Sequence, residues 1–297
     1  MRATCSSFRP SALAFVSLKA FGDLVVLRTM LRRVRGTAPA VVIGSHLVEL
    51  FRALGDYPGE CALIESGTDV PALFDLRRRG LRSGLRSAAS LRRRLQHASI
   101  PLGATLVFDR IGWRERFIAG RRATAALPAA ANIYTAYNGT GLFEKDSIGS
   151  LIAPNKSKVS SVGIFPASRI ARKDVPRALV SDVADAAIEC GLQPMVYVLE
   201  GERPDLEGLA QPLQRLPRTF AALVAAVRSV DLVISADSLP AHLAENSGVP
   251  VFVVTPTENR YWLPLTAYER NLWARFDQAA TCSHLREFLT HGGAVVA

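Results

Sequence analysis

The hydrophobic pattern of the chain alternates between short apolar runs and longer segments with helical periodicity. The short runs are rich in valine, isoleucine and leucine, which is typical of strands buried on both faces of a parallel sheet. They predict strands at residues 13–17, 40–44, 61–64, 105–109, 161–165, 195–199, 232–235 and 251–254. The periodic segments predict helices at residues 23–35, 46–54, 176–189, 220–228 and 240–247.

This alternation is interrupted once, near the middle of the chain. Residues 144–158, EKDSIGSLIAPNKSK, are polar, contain Gly, Pro and Asn, and show no apolar period. We therefore predict two Rossmann-like α/β domains with parallel sheets, covering residues 1–150 and 151–297. Ligands of such sheets bind at the carboxyl ends of the strands, so the expected site is the cleft across which the two domains face each other.

Charge is distributed unevenly between these two domains. The 297-residue chain has a formal net charge of +10. Residues 1–150 hold 22 Lys and Arg against 11 Asp and Glu, whereas residues 151–297 hold 14 against 15. The first domain is therefore expected to bind an anionic ligand.

Composition excludes several classes of protein. Four cysteines are scattered without a CxxC pair, which argues against a disulfide framework and against a structural zinc site. The most apolar stretch, residues 11–31, is interrupted by Lys19, Asp23 and Arg28, so no membrane-spanning segment is expected. No apolar leader with a small-residue cleavage site follows the first residues, and the chain is predicted to be cytoplasmic.

A basic segment stands out in the first half. Residues 76–94 contain eight arginines between leucines and small residues. One interpretation is the solvated face of a helix. The other is a surface that binds phosphate groups or an anionic membrane leaflet.

The first candidate motif directly follows the first predicted strand and reads SLKAFGD over residues 17–23. Gly22 allows a tight turn or a close approach of the backbone to a ligand. Asp23 stands where the next helix is expected to begin, so it is either a helix cap or a functional carboxylate facing the cleft. No GxGxxG sequence occurs, and a dinucleotide fingerprint is not supported.

The second motif follows the strand at residues 161–165. Ser168, Arg169 and Lys173 precede Pro176, which is placed to start a helix. These side chains are suitable donors for a diphosphate at a helix N-terminus. A solvated basic loop is the alternative.

The third motif, ISADSLPAH over residues 234–242, again joins a strand to a helix. Backbone N–H groups and the Ser238 hydroxyl could bind an anion beside Asp237. His242 is either part of that site or a histidine whose ring bonds to the backbone within the helix.

In their order and spacing these three motifs resemble those of one known family. A strand followed by xxxxGD, then P-x-S-R-x(3)-K-x(2)-P, then D-[ST]-x(3)-H-x-A occur between residues 12 and 265. The pattern is similar to the lipopolysaccharide heptosyltransferases, glycosyltransferase family nine, which have the GT-B fold. The resemblance implies inverting, metal-independent transfer of heptose from ADP-heptose to a lipopolysaccharide core or a related envelope glycan. It implies no cofactor beyond this nucleotide-sugar donor.

The resemblance also assigns roles to individual residues. Asp23 corresponds to the general base. Lys173 corresponds to the lysine that holds the donor phosphates, and Glu202 to an acidic residue that contacts the ribose. The residues expected at the donor are Ser168, Arg169, Lys173, Glu202, Asp237, Ser238 and His242. Gly22 and Lys19 are expected at the acceptor.

One departure from the family pattern leaves alternatives open. Leu239 stands where the family usually has glycine, and a positive φ there would be costly. A family member that uses another nucleotide sugar is therefore an alternative, and so is a non-catalytic protein that binds polyanions. Peripheral contact with the cytoplasmic face of the inner membrane fits the basic first half, and nucleic acid is not expected as a partner.

Overall fold

The computed structural model describes residues 13–18, 20–34, 38–59, 61–64, 81–97, 100, 103–143, 159–279 and 283–291. The contacts between residues divide the chain into two compact units. Unit 1 comprises Met1–Ala130 and Ala136–Glu144, and unit 2 comprises Ala131–Thr135 and Lys145–Ala297. The predicted linker, residues 144–158, lies outside the described residues.

Unit 1 is built on a parallel sheet with the strand order β3-β2-β1-β4-β5. Its strands are β1 Leu13–Ser17, β2 Ala40–Gly44, β3 Cys61–Ile64, β4 Thr105–Phe108 and β5 Thr124–Ala126. Its helices are α1 Phe21–Leu31, α2 Val48–Ala53, α3 Leu81–His97, α4 Trp113–Ala119 and α5 Ile133–Asn138. Helix α5 is shared: its first three residues belong to unit 2, and the rest belong to unit 1.

The apolar side of α3 packs into the core of unit 1. Ala88, Leu91 and Leu95, spaced three and four residues apart, are buried against strand residues such as Leu106. The other described side of α3 exposes Arg82, Arg86, Arg93 and Arg94, together with Leu85 and Gln96. The basic segment therefore forms an amphipathic helix over its described part, whereas residues 76–80 lie outside the described residues.

Helix α1 carries a buried arginine, Arg28. The Arg28 guanidinium donates to the carbonyls of Gly55 and Asp56, at 2.9 Å each, and lies over the rings of Phe51 and Tyr57. Burial is the main cause that lowers the pKa of Arg28 from its ordinary value. Two carbonyl bonds and two aromatic faces stabilise this charge within the unit.

Unit 2 is built on a second parallel sheet, with the strand order β11-β10-β9-β6-β7-β8. Its strands are β6 Ser161–Phe165, β7 Gln193–Leu199, β8 Leu213–Leu216, β9 Leu232–Ala236, β10 Val251–Thr255 and β11 Trp273–Arg275. Its helices are α6 Arg177–Glu189, α7 Phe220–Ser229, α8 Leu239–Ser247, α9 Leu265–Glu269 and α10 Ser283–Thr290. Strands β9 and β10 are buried throughout.

All eight strands predicted from the apolar runs are present, and their ends differ by two residues at most. The runs did not predict β5, β8 and β11. Each of these three strands forms an edge of its sheet and has three or four residues. An edge strand buries less side chain than a central one, so its sequence need not be an apolar run.

Four of the five predicted helices are present, and their ends differ from the prediction by four residues at most. The fifth, residues 46–54, is a short 3₁₀ turn, Ser45–Leu47, followed by α2. No described helix is long and apolar enough to cross a membrane.

Candidate active site

The candidate donor site of unit 2 lies at the point where the sheet order reverses. From β6 the chain proceeds outward through β7 and β8, and then returns to β9 on the other side of β6. Phe165 of β6 pairs with Ser235 of β9, so the loops that follow these strands begin side by side. Such a switch point at the carboxyl ends of parallel strands is the usual ligand site of open α/β sheets.

An ion pair joins the second and third sequence motifs at this point. Lys173 Nζ donates to Asp237 Oδ2 at 2.6 Å. The Asp237 side chain is only 8% exposed, whereas that of Lys173 is 24% exposed. The lysine ammonium therefore stands at the surface of the site, and the carboxylate that holds it lies beneath.

The loop that carries Lys173 is held by its own side chains and by a neighbouring arginine. Ser168 N–H donates to Asp174 Oδ1 at 2.6 Å, and Lys173 itself belongs to a 3₁₀ turn, Ala171–Lys173. Arg203 Nη1 donates to the Pro166 carbonyl at 3.3 Å and also pairs with Asp205. These bonds hold the loop in one conformation.

Arg203 has a positive φ of 49°, an unusual conformation for a residue other than glycine. Its guanidinium makes two bonds to the Asp205 carboxylate, at 2.8 and 2.7 Å. The bond to Arg203 is the largest cause that lowers the pKa of Asp205. Strained backbone needs support from its surroundings, and the ion pair with Asp205 supports the conformation of Arg203.

Helix α8 begins within the third motif, and the Ser238 side chain does not cap it. Ser238 is the N-cap residue, but its Oγ donates to the Ala167 carbonyl at 3.1 Å and so ties α8 to the second motif. Leu239, the first residue of α8, is not among the described residues with positive φ. The expected backbone cost of leucine at this position therefore does not arise.

His242 is buried in α8, and its ring contacts a tyrosine. Tyr134 Oη lies 3.3 Å from His242 Nδ1. Burial lowers the pKa of His242 from 6.5 to about 4; the Asp237 charge opposes this shift, and the Lys173 charge adds to it. The imidazole is therefore neutral at pH 7.

Residues 131–135, which the sequence did not single out, belong to the same unit as this site. Asn132 is fully buried and donates to the carbonyls of Arg260 and Leu263, at 3.0 and 2.9 Å. Its Oδ1 accepts a bond from Tyr134 N at 2.9 Å. Asn132 thus orients the tyrosine that contacts His242. A lone Asn before a helix is a capping signal, but nothing in the sequence showed its distant carbonyl partners.

Two predicted donor residues have no described bond to the Lys173–Asp237 pair. Glu202 follows β7 and lies 3.6 Å from Arg218, in a half-exposed ion pair. Arg169 is exposed on the loop after β6. Both lie at the carboxyl edge of the sheet, on loops next to the ion pair.

The candidate catalytic residue belongs to unit 1, at the corresponding switch point between β1 and β4. Asp23 is the third residue of α1, whereas Ala20 is the N-cap residue. The interpretation of Asp23 as the cap of a helix that starts there is therefore wrong. Gly22 is the second residue of α1, and Lys19 lies outside the described residues.

Asp23 lines a pocket within unit 1. The other polar residues of its lining are Ser17, Asp109 and Glu115, from β1, the end of β4 and α4. The remaining lining residues are apolar or aromatic and include Phe15. Asp23 thus stands in a concave site at the ends of the central strands of unit 1.

No protein-family model and no curated protein matches this sequence. Solved structures do match it. A glycosyltransferase of family 9 from Veillonella parvula DSM 2008 superposes with a TM-score of 0.59 at 14% identity, over 91% of this chain and 88% of that one. Escherichia coli heptosyltransferase WaaC with ADP gives a TM-score of 0.58 at 11% identity, over 89% and 92% of the two chains.

Escherichia coli ADP-heptose lps heptosyltransferase II gives a TM-score of 0.51 at 11% identity, over 89% of each chain. The chain has the GT-B fold. The expected pair of Rossmann-like α/β units is confirmed. In this GT-B chain the three motifs lie at the carboxyl ends of the central strands of the two sheets, which agrees with the positions that their strand–loop–helix pattern predicted.

The lowered pKa of His242 predicts how acid destabilises the protein. An imidazole that is neutral when folded and has its ordinary pKa when unfolded stabilises the fold fully above pH 6.5. This contribution is lost as the pH falls from 6.5 towards 4. The variant His242→Asn has no titrating group at this position. Between pH 7 and pH 4.5 its free energy of unfolding should therefore fall by about 2 kcal/mol less than that of the parent protein. Urea unfolding at both pH values measures this difference, and equal losses in the two proteins would contradict the assignment.

Proposed function

We propose that the chain is an inverting, metal-independent glycosyltransferase that uses a nucleoside diphosphate sugar as its donor. The observation that carries the proposal is Lys173, held by Asp237 at the switch point of unit 2 in a GT-B fold. Solved structures of similar fold include one with ADP and one described as an ADP-heptose heptosyltransferase, so we propose ADP-heptose as the donor. The acceptor is a lipopolysaccharide core or a related envelope glycan.

Lys173 would bind the donor diphosphate. Its ammonium has three N–H groups, of which Asp237 uses one, and the side chain is partly exposed. The others can be directed at phosphate oxygens, where a fixed cation stabilises the negative charge that develops as the diphosphate leaves. Ser168 Oγ accepts a bond from Ile170 N–H, so its own O–H can donate to the same group.

Asp23 would act as the general base. Its carboxylate takes the proton from the acceptor hydroxyl as that oxygen bonds to the anomeric carbon of the donor sugar. The bond from this carbon to the diphosphate oxygen breaks on the opposite face, and its electron pair leaves with the diphosphate. The configuration at the carbon is therefore inverted. Asp23 lies in the first turn of α1, where the helix dipole stabilises a negative charge.

The basic face of α3 would contact anionic lipid at the cytoplasmic face of the inner membrane. The helix has five arginines and a histidine but no Asp or Glu, and four of these arginines are exposed. Arg92 differs from them because it is half-buried, 5.4 Å from the ring centre of Phe117. The exposed arginines are therefore available to lipid phosphates, whereas Arg92 contributes to packing.

The first prediction concerns Lys173. Lys173→Ala should weaken ADP binding about 10- to 150-fold, because a hydrogen bond to a charged group contributes about 1.5–3 kcal/mol. Titration calorimetry measures the affinity, with UDP and GDP tested in parallel for the choice of nucleotide. Arg228→Ala, which removes an exposed cation from α7, is the matched control.

Lys173→Ala also leaves the Asp237 carboxylate without its partner, and that charge alone could repel ADP. The double variant Lys173→Ala/Asp237→Asn removes both charges. Weak ADP binding in the double variant assigns the effect to the lost ammonium. Unchanged ADP affinity in Lys173→Ala would remove Lys173 from the donor site.

The second prediction concerns Asp23. Asp23→Asn should lower turnover about 10²- to 10⁴-fold, which is the usual contribution of a positioned base. ADP affinity and the melting temperature should change little, because Asp23 does not cap α1 and belongs to the other unit. ADP release from ADP-heptose with extracted core oligosaccharide measures turnover.

Asp56→Asn, an exposed substitution in the same unit, is the control and should keep parental turnover. If Asp23→Asn retains more than about a tenth of parental turnover, far above what loss of a base allows, Asp23 is not the base.

The third prediction concerns α3. Arg93→Glu with Arg94→Glu should reduce binding to vesicles of phosphatidylglycerol and phosphatidylethanolamine at least tenfold at low salt, since each basic residue near an anionic surface contributes about 1 kcal/mol. The difference should shrink as salt screens the charges. Arg52→Glu with Arg121→Glu makes the same charge change at exposed positions outside α3. Equal vesicle binding by the two double variants would show that α3 is an ordinary solvated face.

A further inference from the structure

Arg203, in the loop after β7, holds a backbone conformation that glycine adopts more easily. Its φ is 49° and its ψ is 56°, in the left-handed region. Among the described residues other than glycine, only Asn271 shares a positive φ with it. Strained backbone of this kind persists where the surrounding structure enforces it, and it is concentrated at functional sites. The arginine side chain must therefore offset the strain through the contacts that it makes.

The Arg203 guanidinium is buried and bonds in two directions. The side chain is 9% exposed. Its Nε and Nη2 donate to the Asp205 carboxylate at 2.8 and 2.7 Å, within the same turn of the chain. Its Nη1 donates to the Pro166 carbonyl at 3.3 Å. Because Pro166 directly follows β6, this bond connects the loop after β7 to the loop after β6.

Pro166 stands at the base of the loop that carries Lys173. The same carbonyl accepts the Val175 N–H at 2.9 Å, so the chain comes back to the end of β6 shortly after Lys173. Lys173 lies between these two points, and its ammonium bonds to Asp237. Arg203 is therefore bonded to the point from which the Lys173 loop extends.

The loop after β7 is held on its other side by two further arginines. Arg218 Nε donates to the Glu200 carbonyl at 2.7 Å, and Arg215 Nη1 donates to the Glu202 carbonyl at 3.0 Å. Glu202 directly precedes Arg203 and is the residue predicted to contact the donor ribose. Its backbone is therefore held from both sides, by β8 through Arg215 and by the loop after β6 through Arg203.

We propose that Arg203 is a positioning residue of the donor site, which fixes the spacing between Glu202 and Lys173. The inference rests on the proposed function and deepens it by naming what favours a complete nucleoside diphosphate. Such a donor engages both loops, with its ribose at Glu202 and its diphosphate at Lys173. A preformed spacing favours this ligand because little has to be ordered on binding. Adenosine and pyrophosphate each engage one loop and gain less.

Arg203→Gly tests this role, because glycine accepts the positive φ while the guanidinium is removed. ADP affinity should fall about 5- to 10-fold, as expected when one hydrogen bond that orders the site is lost. The affinities of adenosine and pyrophosphate should change less than about twofold, since neither spans the two loops. Titration calorimetry with the full chain measures ADP, and the two halves are measured as its competitors. Arg286→Ala, which removes an exposed arginine paired with Glu189, is the control and should leave all three affinities unchanged.

Two further variants separate the bond to Pro166 from other effects of the substitution. Arg203→Gly leaves the half-exposed Asp205 carboxylate without its partner. The double variant Arg203→Gly/Asp205→Asn removes this charge and should show the same loss of ADP affinity. Arg203→Ala should also show this loss, but with a lower melting temperature than Arg203→Gly, because alanine is strained at a positive φ.

A purely structural arginine gives different results. Arg203→Gly would then leave ADP affinity unchanged, or would weaken ADP, adenosine and pyrophosphate by the same factor, and either outcome overturns the positioning role. Recovery of ADP affinity in the double variant would assign the loss to the Asp205 charge and also overturn it. A loss of ADP affinity in Arg203→Ala that Arg203→Gly does not share would overturn it as well, because the cause would be the backbone conformation.

These outcomes leave the proposed function standing when ADP binds the parent protein through Lys173. A parent protein that does not bind ADP would instead remove the proposed function, and the role of Arg203 with it.

Discussion

The pairing of β6 with β9 is the constraint on which the candidate donor site depends. The two strands run in register from Val162 beside Leu232 to Phe165 beside Ser235. At their amino ends the Asp231 carboxylate accepts bonds from the N–H and hydroxyl groups of Ser160 and Ser161, at 2.9–3.1 Å. A shift of one residue would break these bonds and turn every buried side chain of the strand to the other face. At the carboxyl ends the same register brings the two loops together.

The ion pair of Lys173 and Asp237 uses this placement. The two residues are 64 positions apart in the sequence. They meet because both lie beyond the carboxyl ends of neighbouring central strands: Lys173 lies in the loop after β6, and Asp237 directly follows β9. A carboxylate that is only 8% exposed needs a charged partner. Lys173 provides this partner, although its own side chain is more exposed than that of Asp237. The Asp174 carboxylate accepts a bond from the backbone of the loop after β6, and Arg203 and Ser238 donate to its carbonyls, so the backbone around the pair is held in place.

The parts of the fold that the sequence predicted are those where local pattern and burial agree. Central strands are apolar because both of their faces are covered, so their apolar runs predicted them. The edge strand β8 has the sequence LQRL, which is not an apolar run, and it was not predicted. The start of α1 was misplaced by two residues, because Asp is a frequent cap and Ala20 gives no signal. Asn132 and Arg203 were missed for another reason. Their importance comes from partners distant in sequence, which a single chain read without its structure does not display.

The division of α5 between the two units has a consequence for how the chain can be separated. Residues 131–135 lie ahead of the break in sequence but belong to unit 2, where Asn132 donates to two buried carbonyls. A fragment that starts at residue 151 would lose this donor and also Tyr134, the partner of His242. Neither unit is one continuous stretch of sequence. Insertions, fusions and exchanges of halves between chains of this fold would therefore have to respect a boundary that crosses a helix, because a cut at the polar linker removes part of the core of the second unit.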